Sequence, residues 1–159
     1  MGLRWGEAAA LRVRDVDVTR NRISIERNAV TVGTEVVIGT PKTHEVREVA
    51  VPASVMRMLI PVMEGKSPDE LLWPRRDGSP MKPPTHGKWY YNALDRCMDK
   101  YPDFPRVTPH GLRHVAAGLM VSAGANVKVI QRELGHSSAA MTLDIYAELF
   151  DEDLEAVGS

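Results

Sequence analysis

Apolar positions in the first third of the chain follow the two-residue spacing typical of β-strands. Residues 22–27 alternate polar or charged side chains with apolar ones, residues 35–38 are rich in β-branched side chains, and residues 47–51 continue the pattern. Gly33 indicates a turn and residues 39–43 indicate a loop between these segments. The simplest arrangement is a small antiparallel three-stranded sheet with one face on the core.

Helical spacing dominates the rest of the chain. Good helix formers predict a first helix over residues 2–13, and apolar residues three or four positions apart predict another from Ala53 to Gly65. Four more helices are expected over residues 86–100, 108–124, 126–135 and 137–150. Together with the strands, they predict an α+β fold that is mostly helical, with the small three-stranded antiparallel sheet near its N-terminus.

Short polar residues and glycines mark the limits of the last three helices. Thr108, Asn126 and Ser137 are residue types whose side chains cap helix N-termini. Gly124 is expected to end the helix over 108–124, and Gly135 the helix over 126–135, because glycine is common just after a helix C-terminus. The chain therefore closes with three successive helices joined by short turns.

Composition places the chain among globular proteins. It has 159 residues, 43% of them hydrophobic and 26% charged, which fits one domain with a single core. No apolar run approaches the roughly 18 residues of a membrane span, and the N-terminus lacks the pattern of a signal peptide. The single cysteine, Cys97, excludes an internal disulfide framework and suits a reducing cytoplasm, so we expect a cytoplasmic protein without membrane partners.

Charge is distributed unevenly along the chain. The net charge is −1, yet the segment from Asp144 to Glu155 holds six acidic residues and no lysine or arginine, so the rest of the chain carries +5. We interpret residues 1–150 as a folded domain with a basic body and residues 151–159 as an acidic C-terminal tail. A basic body can present a phosphate-binding face, although this feature alone is weak evidence for DNA binding.

A phosphate-binding arrangement is predicted at the start of the helix after Thr108. His110 and Arg113 are three residues apart, so they share a helix face beside the free N–H groups of the first turn. The positive end of the helix dipole and the forked guanidinium both favour a phosphate there. When no other motif accompanies it, such a segment more often forms an exposed arginine–histidine pair without a function.

A zinc site is the alternative for the same segment. His110 and His114 are four residues apart, the spacing of zinc ligands on a helix. The metalloprotease pattern requires glutamate directly after the first histidine, where this chain has Gly111. We therefore set the zinc interpretation aside.

Four other candidates carry little information singly. Arg4 has Glu7 three residues later on the same predicted helix, which by default is a solvated ion pair, and Lys42 lies in a loop where most lysines are exposed. His136 directly follows a helix-ending glycine, so it stands on a loop. Tyr146 lies ten residues later on the last helix; a tyrosine hydroxyl can form a covalent intermediate, but most such tyrosines only pack.

Taken in order, these segments resemble the signature of the tyrosine recombinases, a family that includes phage integrases and bacterial chromosome-dimer resolvases. The resemblance covers nearly the whole chain, and the stretch 108–150 is similar to integrases of actinobacterial phages. The motifs that carry it are Gly2-Leu3-Arg4-Trp5-Gly6-Glu7, Lys42-Thr43, His110-Gly111-Leu112-Arg113-His114, Leu134-Gly135-His136 and Tyr146.

The resemblance implies a role for each matching residue. Tyr146 would attack a DNA phosphorus and form a 3′-phosphotyrosyl link, while Lys42 would protonate the leaving 5′-oxygen. Glu7 and His114 would support the side chains of the site, Glu7 as an acid that orients one of them. The groups that would hold the scissile phosphate are Arg4, His110, Arg113 and His136. No metal or cofactor is expected, because two arginines and two histidines would supply the positive donors that a phosphodiester needs.

The resemblance also implies partners. These are double-stranded DNA at attachment sites, further copies of the chain in a tetrameric synapse, and accessory proteins that bend DNA or direct excision. The acidic tail is expected to pack on protein, its own or a neighbouring subunit's, through Leu154.

Two departures from the family pattern leave alternatives open. Position 111 is often aspartate in the family and is glycine here, and the DNA-clamping domain and helices that usually precede the first arginine motif are not in this sequence. The alternatives are a non-catalytic remnant that binds DNA or an integrase, and an enzyme that relaxes DNA in the manner of a type IB topoisomerase.

Overall fold

The computed structural model of the chain describes residues 1–40, 46–138, 140–144 and 147. Its strands lie in the first third of the chain and pair into two antiparallel sheets. The larger sheet has the strand order β1 (Val16–Asp17), β2 (Arg22–Ile25) and β5 (Arg47–Ala50). The smaller one is a hairpin of β3 (Asn28–Val32) and β4 (Glu35–Gly39).

The three-stranded sheet presents one face to the core. Ile23 pairs with Val49 and Ile25 with Arg47, and the three apolar members of these pairs are at most 1% exposed. The apolar residues of β2 alternate with half-buried polar ones, as the sequence pattern predicts for a strand with one covered face. The predicted α+β fold with a small antiparallel three-stranded sheet near the N-terminus is therefore confirmed.

The strand predicted over residues 35–38 forms, but it belongs to the hairpin and not to the sheet. In the hairpin, Val30 lies opposite Val37, and these two side chains are 47% and 50% exposed. The β-branched residues of β4 therefore favour extended backbone without indicating a buried face. The third strand of the sheet is β1, whose two residues are too few to leave a pattern in the sequence.

Helices make up much of the remaining structure, and residues 140–144 are helical as expected for the last predicted helix. Among the described residues, none of the helices has the length and apolar character needed to cross a bilayer. A 3₁₀ turn spans Val13–Asp15. The α-helices are α1 (Trp5–Ala9), α2 (Ala53–Met63), α3 (Trp89–Lys100), α4 (Gly111–Ser122) and α5 (Val127–Leu134).

The first helix is much shorter than the predicted span 2–13, because contacts with distant parts of the chain override helix propensity there. Gly2 has a φ of +61°, and Arg4 is extended with φ −66° and ψ 149°, so the helix cannot include them. After α1 the backbone turns away, and the carbonyl of Leu11 accepts a hydrogen bond from the N–H of Leu72 at 2.9 Å. Arg4 is therefore the N-cap residue of α1 and not a residue within it.

Of the caps predicted at Thr108 and Asn126, only the one at Asn126 is confirmed as predicted. The helix after Thr108 begins later than expected, because its first helical residue is Gly111 and its N-cap residue is His110. The Thr108 hydroxyl still accepts a hydrogen bond from the Gly111 N–H at 2.9 Å. The Asn126 side chain accepts from the Lys128 N–H at 2.9 Å. Gly135 ends α5 in the left-handed conformation.

Two apolar clusters hold these elements together. The larger one lies between the three-stranded sheet and α2, and each fully buried aliphatic side chain in it contributes about 1.5–3 kcal/mol. The smaller one joins α4 to α5 through Ala117, Ile130 and Leu134, none of which is exposed. This second cluster fixes the end of α5 against α4, and with it the backbone carbonyls of Leu134 and Gly135.

Candidate active site

Arg113 is a buried cation in the first turn of α4. Its side chain is 6% exposed, and its guanidinium donates to the carbonyl of Leu134 at 2.6 Å and to the carbonyl of Gly2. Burial, followed by the nearby charge of Arg4, lowers the pKa of Arg113 to about 10. Among the described residues no carboxylate lies within ion-pair distance of Arg113, and its hydrogen-bond acceptors are the two backbone carbonyls.

Arg4 approaches the same carbonyls from the N-terminal side. Its guanidinium donates to the carbonyl of Gly135 at 2.9 Å and to that of Leu134 at 3.5 Å, while 43% of the side chain stays exposed. The two arginines are 109 positions apart in sequence and share the Leu134 carbonyl. The end of α5 therefore brings both guanidinium groups together.

Glu7 is a buried carboxylate that binds two arginines. It is 2% exposed, and its oxygens accept from the backbone N–H of Arg4 at 2.9 Å, from the Arg4 guanidinium at 3.0 Å and from both terminal nitrogens of Arg47 at 2.8 and 2.9 Å. Burial alone would raise the pKa of Glu7, but the hydrogen bonds and charge of Arg47, together with Arg4, hold it below its usual range. Glu7 is therefore ionised and fixes the position of Arg4.

Arg47 lies at the start of β5 and packs against the turn after α5. Its side chain is 10% exposed, and a Cβ on Gly135 would lie only 2.6 Å from the Arg47 Cζ. Gly135 also has a φ of +63°, a conformation that favours glycine. Position 135 therefore combines a left-handed turn with close contact to a guanidinium, which explains why glycine precedes His136.

His136 is held by the helix that follows it. Its Nδ1 lies 2.9 Å from the hydroxyl of Thr142, which is fully buried, and its backbone N–H donates to the carbonyl of Gln131 at 3.0 Å. Burial, followed by the charges of Arg113 and Arg4, lowers the pKa of His136 to about 4. The imidazole is therefore neutral at physiological pH.

His110 and His114 lie one turn apart on α4 with their rings in edge contact. The ring centroids are 5.0 Å apart and the ring planes are inclined by 78°. Both residues are exposed, unlike Arg113 between them. They therefore bring imidazole groups to the surface beside the buried guanidinium.

These side chains open onto one cleft. It has a volume of about 310 Å³ and lies between the N-cap of α1, the start of α4 and the helical residues after His136. The residues that line it are Arg4, His110, Arg113, His114, His136, Met141 and Asp144. Five of the eight residues predicted from the sequence thus meet at one place, and Glu7 lies directly behind Arg4.

The other two predicted site residues, Lys42 and Tyr146, lie outside the described residues. Met141 and Asp144, from the helical residues 140–144, line the cleft.

Sequence analysis missed three residues of the site. Arg47 and Thr142 hold Glu7 and His136, and Asp144 brings a carboxylate to an otherwise basic cleft. The partners Arg47 and Glu7 are 40 positions apart, so no local spacing connects them. Thr142 lies six residues after His136, and only the structure shows that it is fully buried on an otherwise exposed stretch of helix.

Comparison with known protein families identifies the family to which the chain belongs. The profile of the phage integrase family matches residues 1–153, which is nearly the whole chain. The chain belongs to the phage integrase family. Its members are the tyrosine recombinases, so the resemblance found in the sequence motifs is confirmed.

Individual relatives are longer than this phage integrase family chain. Transposase B from transposon Tn554 of Staphylococcus aureus is 36% identical over 105 residues, which cover 62% of the chain and 16% of the relative. The integrase of Mycobacterium phage L5 is 30% identical over 149 residues, covering 89% of the chain and 39% of the relative. The ICEBs1 integrase of Bacillus subtilis is 26% identical over 161 residues, covering 94% and 42%. The chain therefore spans about two fifths or less of the length of these relatives.

Solved structures of recombinases share the fold. The Tn1549 transposon integrase in complex with transposon right end DNA superposes with a TM-score of 0.80 at 23% identity, covering 99% of this chain and 55% of that one. The XerA recombinase superposes with a TM-score of 0.68 at 24% identity, covering 98% and 52%. At these identities the superpositions establish the fold and leave the chemistry to be argued from the cleft itself.

Proposed function

We propose that this domain cuts and rejoins DNA strands at a specific site through a covalent link between Tyr146 and a 3′-phosphate. The observation that carries the proposal is the convergence of Arg4 and Arg113 on the carbonyls at the end of α5, with three histidines around the same cleft. A phosphodiester is very inert in water, so an enzyme that breaks one must stabilise the negative charge that develops on its oxygens. Two fixed guanidinium groups meet that requirement.

The arginines are suited to this task because they are charged and already positioned. Arg113 is buried without a carboxylate partner among the described residues, which favours binding of an anion that would complete its charge balance. Arg4 is held by Glu7 on one side and by the Gly135 carbonyl on the other. Such preorganised donors need little rearrangement when the phosphate enters the transition state.

His136 would donate a hydrogen bond to a non-bridging phosphate oxygen as a neutral imidazole. This role requires the proton on Nε2, so Nδ1 must accept a hydrogen bond from the Thr142 hydroxyl, and the distance of 2.9 Å allows it. His110, exposed on the first turn of α4, would supply a second imidazole donor. A neutral His136 is favoured at this position, because a protonated imidazole would be repelled by the two guanidinium groups beside it.

The reaction itself would use the two residues outside the described part of the chain. The Tyr146 hydroxyl would lose its proton to solvent water as its oxygen attacks phosphorus, and the bond from phosphorus to the 5′-oxygen would break. Lys42 would give a proton to that leaving oxygen. The phosphotyrosyl bond retains the energy of the phosphodiester, so attack by a 5′-hydroxyl from the same or another strand would reseal the DNA without a nucleotide cofactor.

The same proposal extends to partners. Recombination requires duplex DNA at an attachment site and several copies of the chain on that DNA, for which we expect a tetrameric synapse. Proteins that bend DNA or direct excision would be further partners. The relatives are named as integrases and transposases, which supports exchange of strands over simple relaxation of supercoils.

A second candidate function is a module that holds DNA or an integrase without cutting. The two candidates differ in a single measurable event, the formation of a protein–DNA bond that survives denaturation.

The experiment that separates them traps the covalent intermediate. The chain is incubated with sheared DNA from the organism that carries the gene, and with a pool of nicked duplexes of randomised sequence from which a short 5′-hydroxyl fragment can diffuse away. Adducts are collected after denaturation in detergent and their DNA is sequenced. We expect the native chain to form an adduct at a recurring sequence.

Two variants make the result specific. Tyr146→Phe should form no adduct while binding DNA normally, and Arg113→Gln should lower the yield by about 100-fold or more, as loss of one charge-stabilising donor does elsewhere. An adduct of equal yield from Tyr146→Phe would exclude this nucleophile. A native chain that binds the same DNA yet forms no adduct would favour the binding module.

A further inference from the structure

A second cleft adjoins the candidate active site. It has a volume of about 540 Å³ and lies between the start of β5 and the last turns of α5. His136 lines both clefts, so they meet at this residue. The residues that line the second cleft are Val46, Arg47, Lys128, Gln131, Arg132, Gly135, His136 and Ser137. None of them is acidic, whereas the first cleft contains Asp144.

Two cations of this cleft have no charged partner among the described residues. Lys128 and Arg132 are four residues apart on α5 and therefore lie on the same face, where like charges repel. The Lys128 ammonium contacts only the side-chain oxygen of Gln131, at 3.4 Å, and the Arg132 guanidinium has no hydrogen bond or ion pair within the described part of the chain. The nearest acid on the helix, Glu133, instead accepts the N–H of Ala50 at 2.9 Å.

A third, buried group points to a ligand as well. Arg47 is 10% exposed, and although its two terminal nitrogens bind Glu7, its Nε is buried and lacks a hydrogen-bond partner among the described residues. A buried donor without a partner is destabilising, because it has given up its hydrogen bonds to water. Most exposed lysines and arginines on a helix only contact solvent. Lys128 and Arg132, however, lie beside the buried Nε of Arg47 and beside His136, which also lines the candidate active site.

We propose that this second cleft, between Lys128, Arg132 and Arg47, binds the DNA phosphate next to the scissile one on the same strand. The inference rests on the proposed function, because the register of the strand is set by the scissile phosphate in the first cleft. Phosphates on one strand of a duplex follow each other at about 3.4 Å along the helix axis, so a strand that crosses His136 brings neighbouring charges to both clefts. Gln131 and Ser137 add neutral donors for the same backbone.

The salt dependence of DNA binding tests the cleft without knowledge of the target sequence. A fluorescent 30-base-pair duplex of arbitrary sequence is titrated with the native chain and with the Lys128→Gln, Arg132→Gln double variant between 25 and 200 mM NaCl. Each lost phosphate contact lowers the slope of log K against log salt by about 0.9, so loss of the single neighbouring phosphate should decrease the slope by about 0.9. The matched control replaces Arg57 on α2 and Lys100 on α3 by glutamine, and it should leave the slope near that of the native chain. An equal slope for the native chain and the double variant would overturn the proposal.

Neutral phosphates identify which phosphate is bound. The duplex recovered in the adduct experiment is rebuilt with a single methylphosphonate at each position beside the scissile phosphate, and binding is measured in a Tyr146→Phe background. At one neighbouring position the native cleft should lose about tenfold in affinity, the value of one charge-assisted contact, while the double variant loses nothing further. Equal losses in both proteins would overturn the assignment, and so would a smaller salt slope without any such coupling.

The two proposals can fail separately. An adduct at normal yield combined with an unchanged salt slope would reject the second cleft and keep the recombinase. A smaller slope without any adduct would reject the chemistry and still assign DNA backbone to the cleft.

Discussion

At the scale of single residues, the candidate site depends on a carboxylate that never reaches the substrate. Glu7 is 2% exposed and holds Arg4 and Arg47 at distances of 2.8–3.0 Å. A buried charge in this position is stable only while its partners remain, because neither water nor other polar groups can replace them. The position of the exposed Arg4 is therefore set by buried groups behind it.

Replacing Arg47 by glutamine should expose this dependence. It leaves the buried Glu7 carboxylate with Arg4 alone, so we expect the free energy of unfolding to fall by roughly 3–5 kcal/mol at pH 7. Because the pKa of Glu7 is lowered in the native protein, its stabilising contribution is complete above the usual pKa of a glutamate and is lost as the pH falls below it. The gap between the native chain and Arg47→Gln should therefore narrow in acid, which urea unfolding at pH 7 and pH 4 can measure.

The control for this prediction is an exposed ion pair on the same sheet. Arg20 lies 3.1 Å from Glu48, with 60% and 40% of the two side chains exposed. Arg20→Gln should change the free energy of unfolding by about 0–1 kcal/mol. If Arg47→Gln cost no more than this control, Glu7 would not need its second arginine.

His136 provides a second prediction at this scale. With a pKa of about 4, its ring should stay neutral in an NMR titration from pH 8 to pH 5. Its neutral form should carry the proton on Nε2, which the nitrogen shifts report directly. Arg113→Gln should move the pKa of His136 upward, because the charge of Arg113 is one cause of the shift after burial.

Stability should follow the same titration. A histidine whose pKa is lowered on folding contributes nothing above its unfolded pKa of about 6.5 and destabilises the protein as the pH falls from there toward 4. The native chain should therefore lose stability relative to His136→Gln across that window. A ring of His136 that titrates near pH 6.5 would contradict both the burial and the proposed role.

At the scale of elements, the sequence pattern predicted those helix ends that depend on contacts between neighbouring residues. The cap at Asn126 and the helix end at Gly135 were predicted because each depends on residues at most four positions away. The first helix was predicted too long, since the Leu11–Leu72 hydrogen bond that diverts the chain joins residues 61 positions apart. The same limit applies to the site. The family motifs identified Arg4 and Arg113, but Arg47 and its ion pair with Glu7 arise only when β5 packs beside α1.

The turn between α5 and His136 yields a prediction at this scale. Gly135→Ala must adopt a φ of +63° and also places a Cβ 2.6 Å from the Arg47 guanidinium. The left-handed conformation alone costs about 1–2 kcal/mol, and displacement of Arg47 should add to it. The matched control is Gly124→Ala at the end of α4, where φ is +75° and no atom lies within 4 Å of the new Cβ.

The difference between the two variants isolates the contact with Arg47. Thermal or urea unfolding should show a larger loss for Gly135→Ala than for Gly124→Ala, and the excess should disappear when both changes are made in an Arg47→Ala background. Equal losses in the native background would mean that Arg47 moves aside without cost. In that case Gly135 would be needed for its backbone conformation alone.

At the scale of the whole molecule, charge is separated between a basic pair of clefts and an acidic end. The two clefts together present Arg4, Arg113, Lys128 and Arg132, and Asp144 is the only acid among the described residues that line them, although the chain as a whole carries −1. Net charge therefore says little about whether this chain binds DNA, because the fold gathers its cations on residues that are far apart in sequence. The acids that balance them are concentrated from Asp144 to Glu155, most of them outside the described residues.

The segment 151–159 should reveal its role when it is removed, since two physical effects then oppose each other. Deletion changes the net charge from −1 to +3, so binding of a single copy to a short duplex should become tighter and more dependent on salt. If the segment instead packs on protein through Leu154, as the sequence suggests, complexes with several copies on one DNA should become weaker. Gel shifts on duplexes with one and with two binding sites can measure both effects in the same preparation. Tighter binding on both duplexes would show that the acids only repel DNA, and a loss confined to the two-site duplex would assign the segment to contacts between copies.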